Sequence, residues 1–245
     1  MSSNHNSIPA LTTAQMIEVD RAMIEDYHIE LIQMMENAGH NFAELARRQM
    51  RNAVQGHSVA VLCGSGNNGG GGMTAARHLH NWGANVIIAL TKTADELRGI
   101  PAHQLDILKR MNVPIVDSAS LPATVDLILD AIIGYNLSGS PRGAAADLIQ
   151  WANHQSVPIL SLDTPSGLEV TSGIAHTPTI RAVATLTLAL PKQGLLMPSA
   201  KKFTGDLYLA DISVLPEIYR SMGIQVPNLF EWEDIIRIGD EQNPL

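Results

Sequence analysis

From position 58 onward, short apolar runs alternate with amphipathic stretches, and this alternation constrains the fold more than any other property of the chain. Expected strands cover 59–63, 85–91, 114–116, 125–131, 158–163, 182–190 and 207–212. Expected helices cover 73–82, 101–111 and 144–154, the second with Pro101 at a first helical position. Strands that are apolar along their whole length have both faces covered, and the helices between them supply the crossovers that parallel pairing requires. The pattern predicts an α/β fold: a Rossmann-like, doubly wound, mainly parallel sheet in a three-layer α/β/α sandwich with two N-terminal helices. Right-handed crossovers gather the C-terminal ends of the strands on one edge, where such sheets bind ligands.

Ahead of the sheet, Thr12 and Gln15 have capping-box spacing, and Met16, Val19 and Met23 share one face of the helix that follows. A second helix carries Leu31, Met34, Met35, Ala38, Phe42 and Leu45 at helical intervals, a stripe read as core or subunit interface rather than as a cofactor box. The 245 residues suit one domain (1–245), with N-terminal helices over 1–57, the α/β core over 58–214 and a C-terminal tail without a clear motif over 215–245. The net charge of −8, from 16 Lys and Arg against 24 Asp and Glu, offers no footprint for nucleic acid or an anionic membrane. The N-terminus is polar, no apolar run approaches membrane-spanning length, and the single Cys63 cannot form an internal disulfide. A soluble, cytoplasmic protein is expected.

The first strand runs into the densest chemistry, CGSGNNGGGG over 63–72. Gly64, Gly66 and Gly69 satisfy the G-x-G-x-x-G spacing between a strand and a helix, and such a loop cradles anions on free backbone N–H groups. The ribose-binding acid expected about twenty residues later is missing, since the second strand ends in Thr91 and Lys92. That argues against an ordinary Rossmann oxidoreductase or methyltransferase. His78 and His80 face different ways on a helix, no metal-binding spacing occurs, and Ser65 has no neighbouring base, so neither a zinc site nor a serine nucleophile is expected.

Polar residues collect at the strand ends: Asn67 and Asn68 in the glycine loop, Asp130 ahead of Gly134 and Gly139, Asp163 and Ser166 around Pro165, and Lys192 ahead of Gly194. Each has a structural explanation as well. Asp163 can cap the turn at Pro165, Ser166 can be a turn residue and Lys192 a solvated side chain. Asp130 is harder to dismiss, because an ionised carboxylate in an apolar strand needs a cation or several donors.

Five stretches together, MMENAG over 34–39, CGSGNNGGGG over 63–72, DAIIGYNLSG over 130–139, LDTPSG over 162–167 and LALPKQG over 188–194, resemble the NAD(P)H-hydrate epimerase family, also called the YjeF N-terminal domain. The resemblance implies interconversion of the R and S forms of hydrated NADH and NADPH (NADHX and NADPHX), substrates hydroxylated at C6 of the reduced nicotinamide ring. It implies that Asn67, Asn68, Gly69, Gly70, Gly71, Gly134, Tyr135, Asn136, Leu137, Ser138, Gly139, Ser140 and Asp163 bind the dinucleotide. Asn68, Asp130 and Ser166 would hold one potassium ion per subunit, an oxygen set suited to a hard cation. Asp163 and Lys192 are the candidate acid-base pair, with Glu36 and Asn37 supporting the loop. A separate NAD(P)HX dehydratase would complete the repair, and the N-terminal helices would form a homodimer. The chain departs from the family at Gly71, where an aspartate is usual and would cap the next helix, and at Tyr135 and Asn136, where small residues are usual. The first departure keeps open a catalytically silent module that binds a nucleotide or a protein through the same fold.

Overall fold

A computed structural model describes residues 8–239. Positions 1–7 and 240–245, where the polar N-terminal stretch begins and the C-terminal tail ends, lie outside the described residues. Helix α1 (Thr13–Arg21) starts at the expected cap: Thr12 Oγ1 accepts from the Gln15 N–H at 3.2 Å, and Gln15 Oε1 accepts from the Thr12 N–H at 2.9 Å. It runs on into a π-helical turn, Ala22–Asp26. Helix α2 (Leu31–Gln49) buries Met34, Met35, Ala38, Phe42 and Leu45 of the apolar stripe and leaves Leu31 half-buried. There follow β1 (Ser58–Cys63), α3 (Asn67–Asn81), β2 (Asn85–Leu90), α4 (Gly99–Arg110), β3 (Ile115–Val116), β4 (Leu127–Ala131) and α5 (Ala144–His154). The chain continues through β5 (Ile159–Leu162), β6 (Ala184–Leu188), α6 (Lys201–Thr204), β7 (Asp206–Ala210), α7 (Pro216–Ser221) and β8 (Ile235–Arg237).

Among the described residues the strands form one sheet in the order β3-β2-β1-β4-β5-β6-β7-β8, parallel throughout except that β8 runs antiparallel to β7. The chain builds outward from β1 in one direction and then returns to place β4 on the other side of β1. That reversal opens a crevice at the C-terminal ends of β1 and β4. Residue alternation divides the core in two. Val59, Val61 and Cys63 point toward α2, α3 and α4 with Phe42, Leu79 and Leu105, while Ala60 and Leu62 point toward α5 with Leu148, Ile149 and Ala152. The sheet is thus covered on both faces, and the expected α/β layering holds.

The elements that differ from the sequence expectation include α3, which starts earlier, and α6, α7 and β8, which it did not contain. Helix α3 begins at Asn67 rather than at 73, so the glycines form its first two turns instead of a loop. Glycine opposes helix by about 1 kcal/mol per residue, and packing overrides that preference here. A Cβ at Gly69 would lie 1.9 Å from the Gly64 carbonyl oxygen, one at Gly70 2.6 Å from Met35 Sδ, and one at Gly72 2.4 Å from Ala131 Cβ. The helix end approaches the sheet and α2 more closely than any side chain permits. In the tail, β8 is too short to show a period, yet it pairs Ile236 with Leu209 and buries Ile235.

Candidate active site

Three junctions meet at the crevice and wall a cavity of about 270 Å³. The β1–α3 junction contributes Gly66, Asn67, Asn68 and Gly71, the segment after β4 contributes Ile132 to Asn136, and the end of β5 contributes Leu162 and Asp163. The opposite wall comes from the N-terminal helices, with Met16 and Asp20 from α1 and Met34, Met35 and Ala38 from α2. Gly134 locks the junctions together, because a Cβ there would stand 3.3 Å from both Asn68 Cβ and Asp163 Oδ2.

Asp163 sits where β5 ends, in the left-handed region at φ 65°. That conformation is rare outside glycine, although Asp tolerates it better than most residues, and strain of this kind concentrates at functional positions. Its N–H donates to the Leu186 carbonyl at 2.7 Å, which holds the turn against β6. Carboxylate Oδ2 accepts the Tyr135 N–H at 3.0 Å, and Oδ1 pairs with Lys192 Nζ. Lys192 is fully buried and gives its remaining hydrogens to Leu188 O at 2.9 Å and Thr187 Oγ1 at 3.2 Å. It stands behind Asp163 and does not line the cavity. The N-terminal segment secures it there: the Leu11 N–H donates to Pro191 O at 2.8 Å, and the Gln193 N–H donates to Leu11 O at 3.0 Å.

Asp130 lies one strand away and wholly inside. Its carboxylate accepts from Ser166 Oγ (2.6 Å), Ser161 Oγ (2.8 Å), the Ser166 N–H (2.9 Å) and the Ile132 N–H (3.3 Å). Ser166 Oγ in turn accepts the Ile133 N–H at 2.8 Å, so Asp130 and Ser166 together brace the wall after β4. Burial pushes the Asp130 carboxyl above its ordinary range, against the pull of Ser166, Ser161 and Ile132. No cationic side chain is among these partners, and at the same rim the buried Asn68 Nδ2 has no hydrogen-bond partner. A buried carboxylate and a hydroxyl supply oxygens of the kind a hard cation takes, whereas the unpaired Asn68 atom is a nitrogen donor that cannot ligate one.

Of the expected binding residues, Asn67, Asn68, Gly71, Gly134, Tyr135, Asn136 and Asp163 line the cavity. Gly69 and Gly70 are spent on packing against Gly64 and Met35, while Ser138, Gly139 and Ser140 run out over the surface beyond a half-buried Leu137. Gly71 is the fifth residue of α3, with Gly66 at the cap, so an aspartate at 71 would stand one turn inside the helix and cap nothing. Glu36 grips Arg77 (2.5 Å) and His78 (2.9 Å) on α3 rather than a loop, and Asn37 is exposed. Sequence reasoning missed Asp20, whose Oδ2 accepts the Tyr135 hydroxyl at 2.5 Å. The signal was its position four residues after Met16, on the same helical face. The methionines of α1 and α2 likewise belong to the cavity wall as well as to the core.

The family described as YjeF-related protein N-terminus matches residues 31–194, a span that takes in every wall of the cavity except α1 and Ile212. The chain is 41% identical to an NAD(P)H-hydrate epimerase of Dehalogenimonas lykanthroporepellens, over 89% of this chain and 88% of that one. It is 35% identical to the protein of the same name from Rhodopirellula baltica, over 89% of each chain. It is also 36% identical to a bifunctional NAD(P)H-hydrate repair enzyme of Moorella thermoacetica, over 83% of this chain and 40% of that longer protein. The crystal structure of yeast ynu0 has the same fold, with a TM-score of 0.78 at 24% identity, covering 94% of this chain and all of that one. By that match, which spans two thirds of its length, the chain belongs to the YjeF-related protein N-terminus family.

Proposed function

We propose that this protein is an NAD(P)H-hydrate epimerase, interconverting the R and S forms of NADHX and NADPHX in the repair of nicotinamide cofactors. The observation that carries the reading is Asp163: a strained, ion-paired carboxylate on the wall of a cavity large enough for a hydrated nicotinamide ring. Relatives of that name across nearly the whole chain support it. The free N–H groups at the start of α3 and the amides of Asn67 and Asn68 face the same space and suit the dinucleotide's polar groups.

In the proposed reaction the C6 hydroxyl leaves one face of the ring and water returns to the other. The ring carries positive charge in between, and Asp163, ion-paired with Lys192 behind it, stabilises that charge and accepts protons at Oδ2. Lys192 therefore contributes by holding Asp163 rather than by touching the ring. Asn68, Asp130 and Ser166 would hold one potassium ion, which would offset the buried charge of Asp130 and stiffen the wall after β4. The product S form would pass to a separate NAD(P)HX dehydratase. The proposed setting is the cytoplasm, in keeping with a buried, unpaired Cys63 and with the lack, among the described residues, of a helix long and apolar enough to cross a membrane. A homodimer would use the apolar residues the N-terminal helices leave exposed, Ile17, Ile24, Tyr27 and Ile32, since the methionines are buried.

The test mixes both hydrated NADH epimers with an S-specific dehydratase and follows the R form. Faster loss of the R form in the presence of this protein is expected. Binding without acceleration would instead favour a silent nucleotide-binding module, the reading suggested by Gly71 in the cavity wall.

A further inference from the structure

We propose that Leu11 is a positioning residue of the reaction: the segment 8–12 ahead of α1 holds Lys192 against Asp163, and turnover at full rate requires that segment to be docked. This role rests on the epimerase reading above. The residues that carry it lie ahead of the family's matched span, 31–194.

The sheet by itself does not place Lys192. Strand β6 stops at Leu188, and Ala189 turns the chain away in the left-handed region at φ 63°, a conformation uncommon for alanine. Among the described residues no named strand pairs with 191–193; an isolated parallel bridge joins Lys192 to Leu11 instead. Its two hydrogen bonds flank the lysine. The Leu11 N–H donates to Pro191 O at 2.8 Å, and the Gln193 N–H donates to Leu11 O at 3.0 Å. One residue further on, the Gly194 N–H donates to Val170 O at 2.7 Å, and Thr13 Oγ1 lies 2.8 Å from Thr171 Oγ1, so the arm is tied to that turn as well.

Leu11 anchors the arm through its side chain, which is fully buried in one cluster with Met16, Val19, Ala189 and Leu190. At the other end of this chain of contacts, Lys192 Nζ meets Asp163 Oδ1, Leu188 O and Thr187 Oγ1. Lys192 is itself fully buried, and a close-packed interior leaves its side chain no room to absorb a backbone shift. A displacement of Leu11 therefore reaches the carboxylate. The arm also runs on into α1, whose Met16 and Asp20 wall the cavity, so its two possible effects, on the ion pair and on the wall, have to be told apart by experiment.

Gln193→Pro breaks the bridge with little other disturbance. Gln193 is exposed, opens a short 3-10 turn, and follows Lys192 at φ −87° and ψ 142°, the extended backbone that proline requires before it. The ring carbon takes the place of the hydrogen that Leu11 O accepts. The experiment measures epimerisation of hydrated NADH by wild type, Gln193→Pro, Lys192→Met and the double variant, with kcat, KM and thermal midpoint recorded where each is folded. Gln193→Pro is expected to lower kcat by about 10- to 100-fold with little change in KM, and to lower it no further in the Lys192→Met background. A merely structural role would move the midpoint and leave kcat in place. Full kcat in Gln193→Pro, or a loss that multiplies with that of Lys192→Met, overturns the proposal; the second result assigns the arm's effect to the wall at Met16 and Asp20. If Gln193→Pro does not fold, Leu11→Ala, which empties the arm's buried anchor, is read in the same cycle. If Lys192→Met does not fold, the kcat of the folded single variant decides alone. These outcomes leave the epimerase reading intact, whereas a wild-type protein without epimerase activity overturns both.

Discussion

The ends of β4 and β5 each bury an aspartate, and the two are handled in opposite ways. Asp130 lies inside its strand, fully enclosed, with four donors from serines and backbone and no cationic side chain. Asp163 lies one step past its strand at positive φ, with a buried lysine on one oxygen and the cavity beside the other. The first arrangement braces a wall, and the second sets a carboxylate beside the cavity. A buried carboxylate is therefore not a functional assignment in itself; what distinguishes the two is whether an oxygen stays within reach of the cavity. Helix α3 observes the same division, since Gly72 packs against Ala131, next to Asp130, and Gly71 against Leu162, next to Asp163.

The strongest test of this contrast is Asp163→Asn. Turnover should fall by about 10² to 10⁴-fold with dinucleotide binding retained, as read by single-turnover kinetics and a separate binding titration; unchanged turnover would erase the distinction. Lys192→Met comes next. It leaves Asp163 without its buried counter-ion and should cost about 3–5 kcal/mol of stability, measured by urea unfolding. A loss of activity with no loss of stability would mean that Lys192 acts on substrate directly, contrary to its position.

Asp130→Asn should cost about 1–3 kcal/mol, because an amide cannot accept from Ser161, Ser166 and Ile132 together. The same variant should lose any stabilisation of the wild type by potassium, which would reach about 2.7 kcal/mol at a hundred times Kd. A potassium-induced rise in the thermal midpoint that survives in Asp130→Asn would remove Asp130 from the ion site. The smallest effects concern the glycines. Gly72→Ala meets Ala131 Cβ at 2.4 Å and should cost about 1–3 kcal/mol. Gly71→Ala meets only the movable tip of Leu162 at 2.8 Å and should cost less. Equal losses would show that α3 shifts as a rigid body, so that the two aspartates are not felt separately.

Much of this was legible before any coordinates. Apolar runs and amphipathic stretches are local patterns, and they announced the parallel sheet, the capping box at Thr12 and the edge on which Asn68, Asp130, Asp163 and Lys192 would gather. The glycine helix was not legible, because propensity counts each glycine against a helix and knows nothing of Met35 or Ala131 pressing against it from other elements. Nor was the meeting of Asp20 with Tyr135, since 115 residues separate the two and no local period marks that encounter. Nor, finally, was the rank of Lys192 behind Asp163, which depends on Leu11 pinning the segment at Pro191.

Short-range periodicity in the chain was enough to set which segments became the seven parallel strands, in what layers, and which of their ends carried polar chemistry, because burial on two faces demands that pattern residue by residue. Which of those polar groups reaches the cavity, which braces its wall, and which distant helix closes it came from tertiary packing alone, because hydrogen bonds and ion pairs between remote segments leave no spacing in the sequence to read.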